Sequence, residues 1–238
     1  MRSEPVVILT RPHGENARLA ERLTALGIAV REIPCVEVRP LADPAPLREA
    51  VRTLTRDDVL VITSRSGARA VREALGDAPR ETPVAAVGAA TADACRAAGL
   101  RVTFTPSTPS GAALAAELPL PRGRILLARS DRAADEPAKI LARRGALVGE
   151  VVAYRTVPIA PREPVAAGAV VVFASPSAVD GFALASSAPA AAVAVGTSAA
   201  ARVRAVLGIE PRVSGPGDDE IVGAVRETVR ESDAIAGR

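Results

Sequence analysis

This chain predicts an α/β fold of two doubly wound parallel-sheet domains joined by a two-strand linker. Three observations predict it. The first is repetition. ILTRPHGENARLAERLTALGIAV (8–30) returns as LLARSDRAADEPAKILARRGALV (126–148), which sets Arg11 on Arg129 and Gly27 on Gly145 at an offset of 118. VLVITSRSGARAV (59–71) returns as VVVFASPSAVDGF (170–182), with Ser64 on Ser175 at an offset of 111. AAVGAATADACRAAGLRV (85–102) returns as VAVGTSAAARVRAVLGIEPRV (193–213), with Gly88 on Gly196 at an offset of 108. Near-constant offsets over three phrases mark a duplication. The second observation is alternation: each phrase opens as a short apolar run and closes with helical spacing. The third is that the runs are apolar throughout, as parallel strands covered on both faces must be. A flavodoxin-like arrangement is the expected form of each domain.

The elements follow in order. Strands are expected at Val6–Thr10, Val59–Thr63, Val84–Val87, Arg124–Ala128, Val170–Ala174 and Ala192–Val195. Leu19, Leu23 and Leu26 share one helical face, and Gly27 stops that helix. A second helix spans Asp135–Arg144, with Ile140 and Leu141 ahead of Gly145. A third covers Ala92 to Ala98 and ends at Gly99. Two Pro-bounded extended segments, Ile33–Leu41 and Val151–Pro158, each follow a copy of the first phrase and read as paired linker strands. Ser186–Ala192 reads as a loop. Residues 232–238 have no apolar periodicity and are expected to be disordered.

Composition removes several chemistries. Hydrophobic residues make up 48% and charged residues 24%, an ordinary globular balance that excludes a disordered chain. There is one His (His13), one Lys (Lys139) and one Tyr (Tyr154). Cys35 and Cys95 are isolated and form no zinc-ligand spacing, and a single His supports no His-based metal cluster. Schiff-base chemistry would rest on Lys139 alone, on an exposed helix face. Of the 30 cationic residues only Lys139 is not Arg, and Arg suits bidentate recognition of carboxylate and phosphate. The net charge is only +3, aromatics are 2% and the arginines are scattered, so a nucleic-acid partner is not expected. A multiply charged anionic small molecule fits better. No apolar run reaches the ~20 residues of a membrane span, and Val6 opens a strand where a leader would stand. No membrane partner and a cytoplasmic location are therefore expected.

In a doubly wound sheet, ligands bind beyond the carboxyl ends of the strands. The residues there are Thr10-Arg11-Pro12, Thr63-Ser64-Arg65-Ser66, Gly88-Ala89-Ala90-Thr91, Arg129-Ser130, Ala174-Ser175-Pro176-Ser177 and Gly196-Thr197-Ser198. Hydroxyls, glycines and arginines at helix starts suit anions. They supply almost no proton-transfer group near neutral pH. Ser and Thr are also common helix N-caps, so a single junction reads as structural before functional. Neither GxGxxG nor GxxxxGK[ST] occurs, which sets a nucleotide site aside. Tyr154 reads as a packed aromatic or as a hydroxyl donor, and His13 as an exposed residue near a helix start.

These residues together resemble the uroporphyrinogen-III synthase family over roughly Val6 to Val229. The resemblance is carried by Thr10-Arg11-Pro12, Ile62-Thr63-Ser64, AVGxxTA (Ala86 to Ala92), Arg129, VxxYRTVP (Val151 to Pro158), FxSPSAV (Phe173 to Val179) and Val195-Gly196. It implies an exchanged topology: 1–36 plus 157–238 as one discontinuous domain, 40–152 as an inserted one, and linkers at 33–41 and 151–158. It implies a lyase that cyclises hydroxymethylbilane with inversion of ring D and loss of water, by way of a spirocyclic pyrrolenine. No cofactor and no metal are implied. Tyr154 would be catalytic, hydrogen-bonding the leaving hydroxyl. Arg11, Thr63, Ser64, Ser66, Gly88, Thr91, Arg129, Ser175, Ser177, Gly196, Thr197 and Ser198 would bind the substrate's acetates and propionates. A monomer in transient contact with hydroxymethylbilane synthase is the implied working state. The chain departs from the family in three places. Thr197-Ser198 replaces a common pair of threonines, Ser130 replaces a common Gly, and Ser66 stands where Asn is common. The alternative reading is a non-catalytic two-domain module that binds or senses a tetrapyrrole or another polycarboxylate.

Overall fold

The computed structural model describes residues 5–76, 81–165, 168–185, 189 and 191–236. In chain order the elements are β1 (Val7–Leu9), α1 (Ala17–Thr24), β2 (Val30–Glu32), β3 (Val36–Arg39), α2 (Ala45–Arg52), β4 (Val59–Ile62), α3 (Arg65–Leu75), β5 (Val84–Ala86), α4 (Ala89–Ala97), β6 (Val102–Phe104), α5 (Gly111–Glu117), β7 (Ile125–Ser130), α6 (Glu136–Arg143), β8 (Val148–Pro158), β9 (Val170–Phe173), α7 (Pro176–Ala183), β10 (Ala191–Val195), α8 (Gly196–Leu207), β11 (Arg212–Ser214) and α9 (Asp218–Ala236). They divide into two compact units, Met1–Glu37 with Val157–Arg238, and Val38–Thr156.

The first sheet runs β2-β1-β9-β10-β11, and the second runs β3-β8-β7-β4-β5-β6. The pairs β1–β2, β1–β9, β9–β10 and β10–β11 are parallel, as are β7–β8, β4–β7, β4–β5 and β5–β6. The recurring phrases explain this order. β1 and β7 open the first phrase, β9 and β4 the second, β10 and β5 the third. Set side by side, β2-β1-β9-β10-β11 and β8-β7-β4-β5-β6 are one spatial order traced by a permuted chain. In the first unit the chain order gives the flavodoxin-like 2-1-3-4-5 pattern.

The strands are apolar because each face meets helices. In β4, Leu60 and Ile62 join one buried cluster while Val59 and Val61 join another. In β7, Leu126 and Ala128 face the first of these, Ile125 and Leu127 the second. The other unit does the same, with Ile8, Val171 and Phe173 on one face and Val7, Leu9, Val170 and Val172 on the other. Each Val, Leu, Ile or Phe among these contributes roughly 1.5–3 kcal/mol on burial, so the interior strands are the most strongly specified parts of the fold.

Some expectations need correction. Leu26 is 49% exposed, not on the buried face with Leu19 and Leu23. The helix stops at Thr24, Leu26 and Gly27 turn back onto Leu23 and Thr24, and Ile28 packs into the core in its place. Asp135 and Arg144 are the caps of α6 and not helical residues. The linker strand at Val151 starts earlier, at Val148, because its first residues pair with β7. Residues 232–236 are not disordered but continue α9, where Ser232 Oγ donates to Thr228 O at 3.0 Å. Extending a formed helix adds one bond per residue fixed, so periodicity is not needed there. Most of the Ser186–Ala192 stretch lies outside the described residues, and its last two residues open β10. No helix among the described residues is long and apolar enough to cross a membrane.

Candidate active site

Because β2, β1, β9, β10 and β11 are parallel, as are β8, β7, β4, β5 and β6, the carboxyl ends of each set lie along one edge of its unit. Each edge gathers its own set of the sequence-derived candidates.

In the unit Val38–Thr156, β4 ends at Ile62 and the chain turns through Thr63 and Ser64 into α3. Ser64 has extended dihedrals (φ −158°, ψ 158°), and its Oγ accepts the Gly67 N–H at 3.0 Å. That is an N-cap bond satisfying one orphan donor of the helix. The same Oγ lies 2.9 Å from the hydroxyl of Tyr154. The two residues are 90 apart in sequence and meet because β7 alone separates β8 from β4. Two inter-strand spacings are about 10 Å, a gap that a tyrosine and a serine close from opposite sides. The Tyr154 ring is half-buried against the core cluster that contains Ile62 and Ala128.

Tyr154 is held by its backbone as well. It pairs with Ser130, its carbonyl accepts the Asp131 N–H at 3.2 Å, and the Asp131 carboxylate accepts the Thr156 N–H at 2.9 Å. Ser130 Oγ and Thr156 Oγ1 are 2.7 Å apart. Sequence reasoning missed Asp131 and Thr156 as supports. The available signal was period two: Thr156 shares a strand face with Tyr154.

The other candidates of this edge differ in what they offer. Gly88 leads α4, which has no side-chain cap. A Cβ at Gly88 would lie 2.8 Å from Pro109 Cβ, so the loop after β6 packs on the bare backbone there. Thr91 and Ser66 are only 7% and 5% exposed. Their hydroxyls are covered, and the backbone ahead of them carries whatever contact a ligand makes. Arg129 is already engaged: its guanidinium bonds Ala134 O at 2.6 Å and pairs with Asp135 at 3.1 Å and with Glu150. It ties the β7–α6 turn to β8, and a ligand carboxylate would compete there with two resident carboxylates.

In the other unit, Thr10 is buried and donates to Val172 O at 2.6 Å, which fixes the end of β1 beside β9. Arg11 follows, half-buried. Ser175 caps α7 as Ser64 caps α3, accepting Ala178 N–H at 3.3 Å, while Ser177 is covered at 6% exposure. Gly196 has φ +79°, a left-handed conformation that favours glycine. It opens α8, which has no side-chain cap, and Thr197 and Ser198 stand exposed in its first turn. So each edge carries a serine-capped helix beside a glycine-led one with no side-chain cap bond, and N–H groups at a helix start attract anions.

Other reactive groups stand aside. Burial pushes the Cys35 thiol up to about 12 and the Cys95 thiol up to about 11, the latter despite nearby Arg96. His13 is exposed, and Lys139 is exposed beside Asp135 at 3.9 Å. Among the described residues no group of three or more His, Cys, Asp or Glu side chains could hold a metal ion.

A family model described as uroporphyrinogen-III synthase HemD matches residues 17–220. The chain belongs to the uroporphyrinogen-III synthase family. Uroporphyrinogen-III synthase of Synechococcus elongatus is 30% identical over 158 residues, which span 63% of this chain and 60% of that one. The porphyrin biosynthesis protein HemD of Ruminiclostridium josui is 28% identical over 159 residues, 63% of this chain and 32% of that one. The match thus spans less than two thirds of the length of either relative. Two solved structures share the fold along nearly the whole chain. A variant of uroporphyrinogen III synthase from Thermus thermophilus has a TM-score of 0.58 at 20% identity, covering 96% of this chain and 98% of its own. Uroporphyrinogen-III synthetase from Helicobacter pylori has a TM-score of 0.59 at 15% identity, covering 94% and 99%.

Proposed function

We propose that this chain is a uroporphyrinogen-III synthase, a hydro-lyase that closes linear hydroxymethylbilane to uroporphyrinogen III with ring D inverted and water lost. Family membership supports the reading, and the observation that carries it to particular atoms is the Tyr154–Ser64 contact of 2.9 Å at the carboxyl edge of the second sheet. The pyrrole nitrogen assists departure of the hydroxymethyl oxygen, so the protein needs one hydrogen-bond donor there. Tyr154 is that donor. The remaining work is folding the bilane so that closure at the substituted carbon wins, which positioning supplies. The uncapped first turns of α4 and α8 hold acetates and propionates with Gly88, Gly196, Thr197 and Ser198. Arg11, Thr63 and Ser175 add donors, and the covered Ser66, Thr91 and Ser177 hold the helix starts in place. Arg129 keeps the Tyr154 strand in register. The reading carries with it a cytoplasmic monomer that receives hydroxymethylbilane from its synthase.

Tyr154→Phe tests the assignment. Removing the hydroxyl keeps the packed ring. General acid assistance is worth roughly 10²–10⁴-fold, so formation of uroporphyrinogen III falls by about 10²-fold while the melting temperature barely moves. Full turnover by the folded variant would take Tyr154 out of the mechanism.

A further inference from the structure

The side of the sheet on which Tyr154 stands is set one residue before it. From Ile125↔Val148 to Arg129↔Val152 the pairing of β7 with β8 advances one residue at a time, and the next pair is Ser130↔Tyr154. Ala153 is left over at that step, a β-bulge. Regular strands alternate their faces. Here Val151 packs on the core of Ile62, Ala68 and Val71, Val152 is 40% exposed, and Ala153 and Tyr154 then turn to that core in succession. Alternation resumes beyond, with Arg155 exposed and Thr156 half-buried, its Oγ1 2.7 Å from Ser130 Oγ.

Within the synthase reading above, we propose that this bulge aims Tyr154 for the reaction, and that Arg155 and Thr156 are positioning residues that hold its register. Two registers are open to β8 after Val152. In a regular one Ala153 pairs with Ser130, so Tyr154 turns to the face of Val152 and leaves Ser64. The same slip turns every later side chain over. Arg155 would then point its guanidinium at the apolar core, which is costly for a charge without a partner there, and Thr156 would leave Ser130. In the bulged register Arg155 stays in water, the two hydroxyls meet, and the phenol lies 2.9 Å from Ser64 Oγ. The backbone ties of Asp131 to Tyr154 and Thr156 do not choose between the two, because a slipped strand offers the same backbone groups one residue earlier. The choice rests on side chains.

The bulge belongs to the unit that holds the tyrosine. In the other unit the matching pair, β1 with β2, runs from Val7↔Val30 to Leu9↔Glu32 without such a step. There, 118 residues before Tyr154, stands the buried Val36.

Tyr154 is the only tyrosine and the chain has no tryptophan, so tyrosine fluorescence reports that residue alone. Acrylamide quenching measures its exposure and needs no substrate. Arg155→Val combined with Thr156→Arg restores a regular alternation of apolar and polar residues. In that variant Tyr154 turns outward, quenching rises toward that of the unfolded chain, and isomer III formation falls by about 10²-fold, as for loss of the hydroxyl. Thr156→Val gives the same changes in smaller measure, and Thr156→Ser, which keeps the hydroxyl, restores the parent values. Deleting Ala153 removes the extra residue and leaves Tyr154 opposite Ser130 in a regular strand, so quenching stays at the parent value. Tyr154 as protected in the Arg155→Val, Thr156→Arg protein as in the parent would overturn the proposal, and so would exposure of Tyr154 when Ala153 is deleted from a folded protein. If either chain does not fold, the Thr156 pair decides: equal quenching in Thr156→Val and Thr156→Ser overturns it. A parent chain that makes no isomer III would defeat the functional reading, while the quenching series still judges the register.

Discussion

Two glycines in helices of the same unit should respond in opposite ways to the same change. Intrinsic propensity favours Ala over Gly in a helix interior by about 0.8–1 kcal/mol. At Gly223 of α9 a Cβ would meet nothing within 4 Å. Gly223→Ala should therefore stabilise the protein by about 0.5–1 kcal/mol. At Gly181 of α7 the same carbon would lie 1.9 Å from Cys35 O and 2.7 Å from Ile159 O. These are backbone atoms at the crossing where the chain leaves the unit and returns, joined by the Ile159 N–H donating to Cys35 O at 3.0 Å. An ordinary C···O contact is about 3.3 Å, so α7 must back away by about 1.4 Å. That movement disturbs Phe182, fully buried and edge-on to Phe173 with ring centroids 5.3 Å apart. Overpacking of this kind costs about 1–3 kcal/mol, and with backbone atoms on the far side the upper end applies. Loss of the Ile159–Cys35 bond adds about 1 kcal/mol. After the propensity gain, Gly181→Ala should lose about 2–3 kcal/mol, or roughly 5–10 °C in Tm for a chain of this size. Urea and thermal unfolding followed by far-ultraviolet circular dichroism would measure both variants. A Gly181→Ala protein as stable as Gly223→Ala would refute the close approach of α7 to that crossing.

Three other buried groups give further expected outcomes. Burial pushes the Asp58 carboxyl up, but the Arg124 and Thr55 N–H groups and the Thr55 hydroxyl outweigh it and hold it below the ordinary carboxylate range. A depressed folded value means its contribution is present above the unfolded pKa of ~3.9 and is lost as pH falls through the folded one. Asp58→Asn should lower stability by about 2 kcal/mol at neutral pH and flatten the acid limb of a stability–pH curve; an unchanged limb would contradict the role. Cys35 and Cys95, buried and raised to about 12 and about 11, should resist a disulfide reagent at pH 8 in the native state and both react in denaturant. Rapid native labelling of either would place it outside the core.

The interior strands were readable from sequence because β1, β4, β7 and β9 bury both faces and carry unbroken apolar runs. Of the edge strands, only β3 was, inside the Pro-bounded segment Ile33–Leu41. β2, β6 and β11 read VRE, VTF and RVS, three residues each and partly exposed, and no apolar pattern marks them. Helix starts were visible as serine or glycine after an apolar run, since a cap is a local requirement. What the caps touch was not. The Tyr154–Ser64 contact depends on β8, β7 and β4 lying side by side, an order set by packing rather than by neighbours in the chain. The ties of Arg129 to Asp135 and Glu150 are equally silent in sequence, where an arginine bound within the fold and one facing a ligand look alike.

Synthase activity is decided by supplying fresh hydroxymethylbilane to the folded protein, oxidising the products and separating the I and III uroporphyrin isomers. Spontaneous closure yields isomer I, so the ratio carries its own control. Isomer III in clear excess is the expected result. Isomer I alone from a folded protein would contradict it, and would turn the same residues toward binding a tetrapyrrole without converting it.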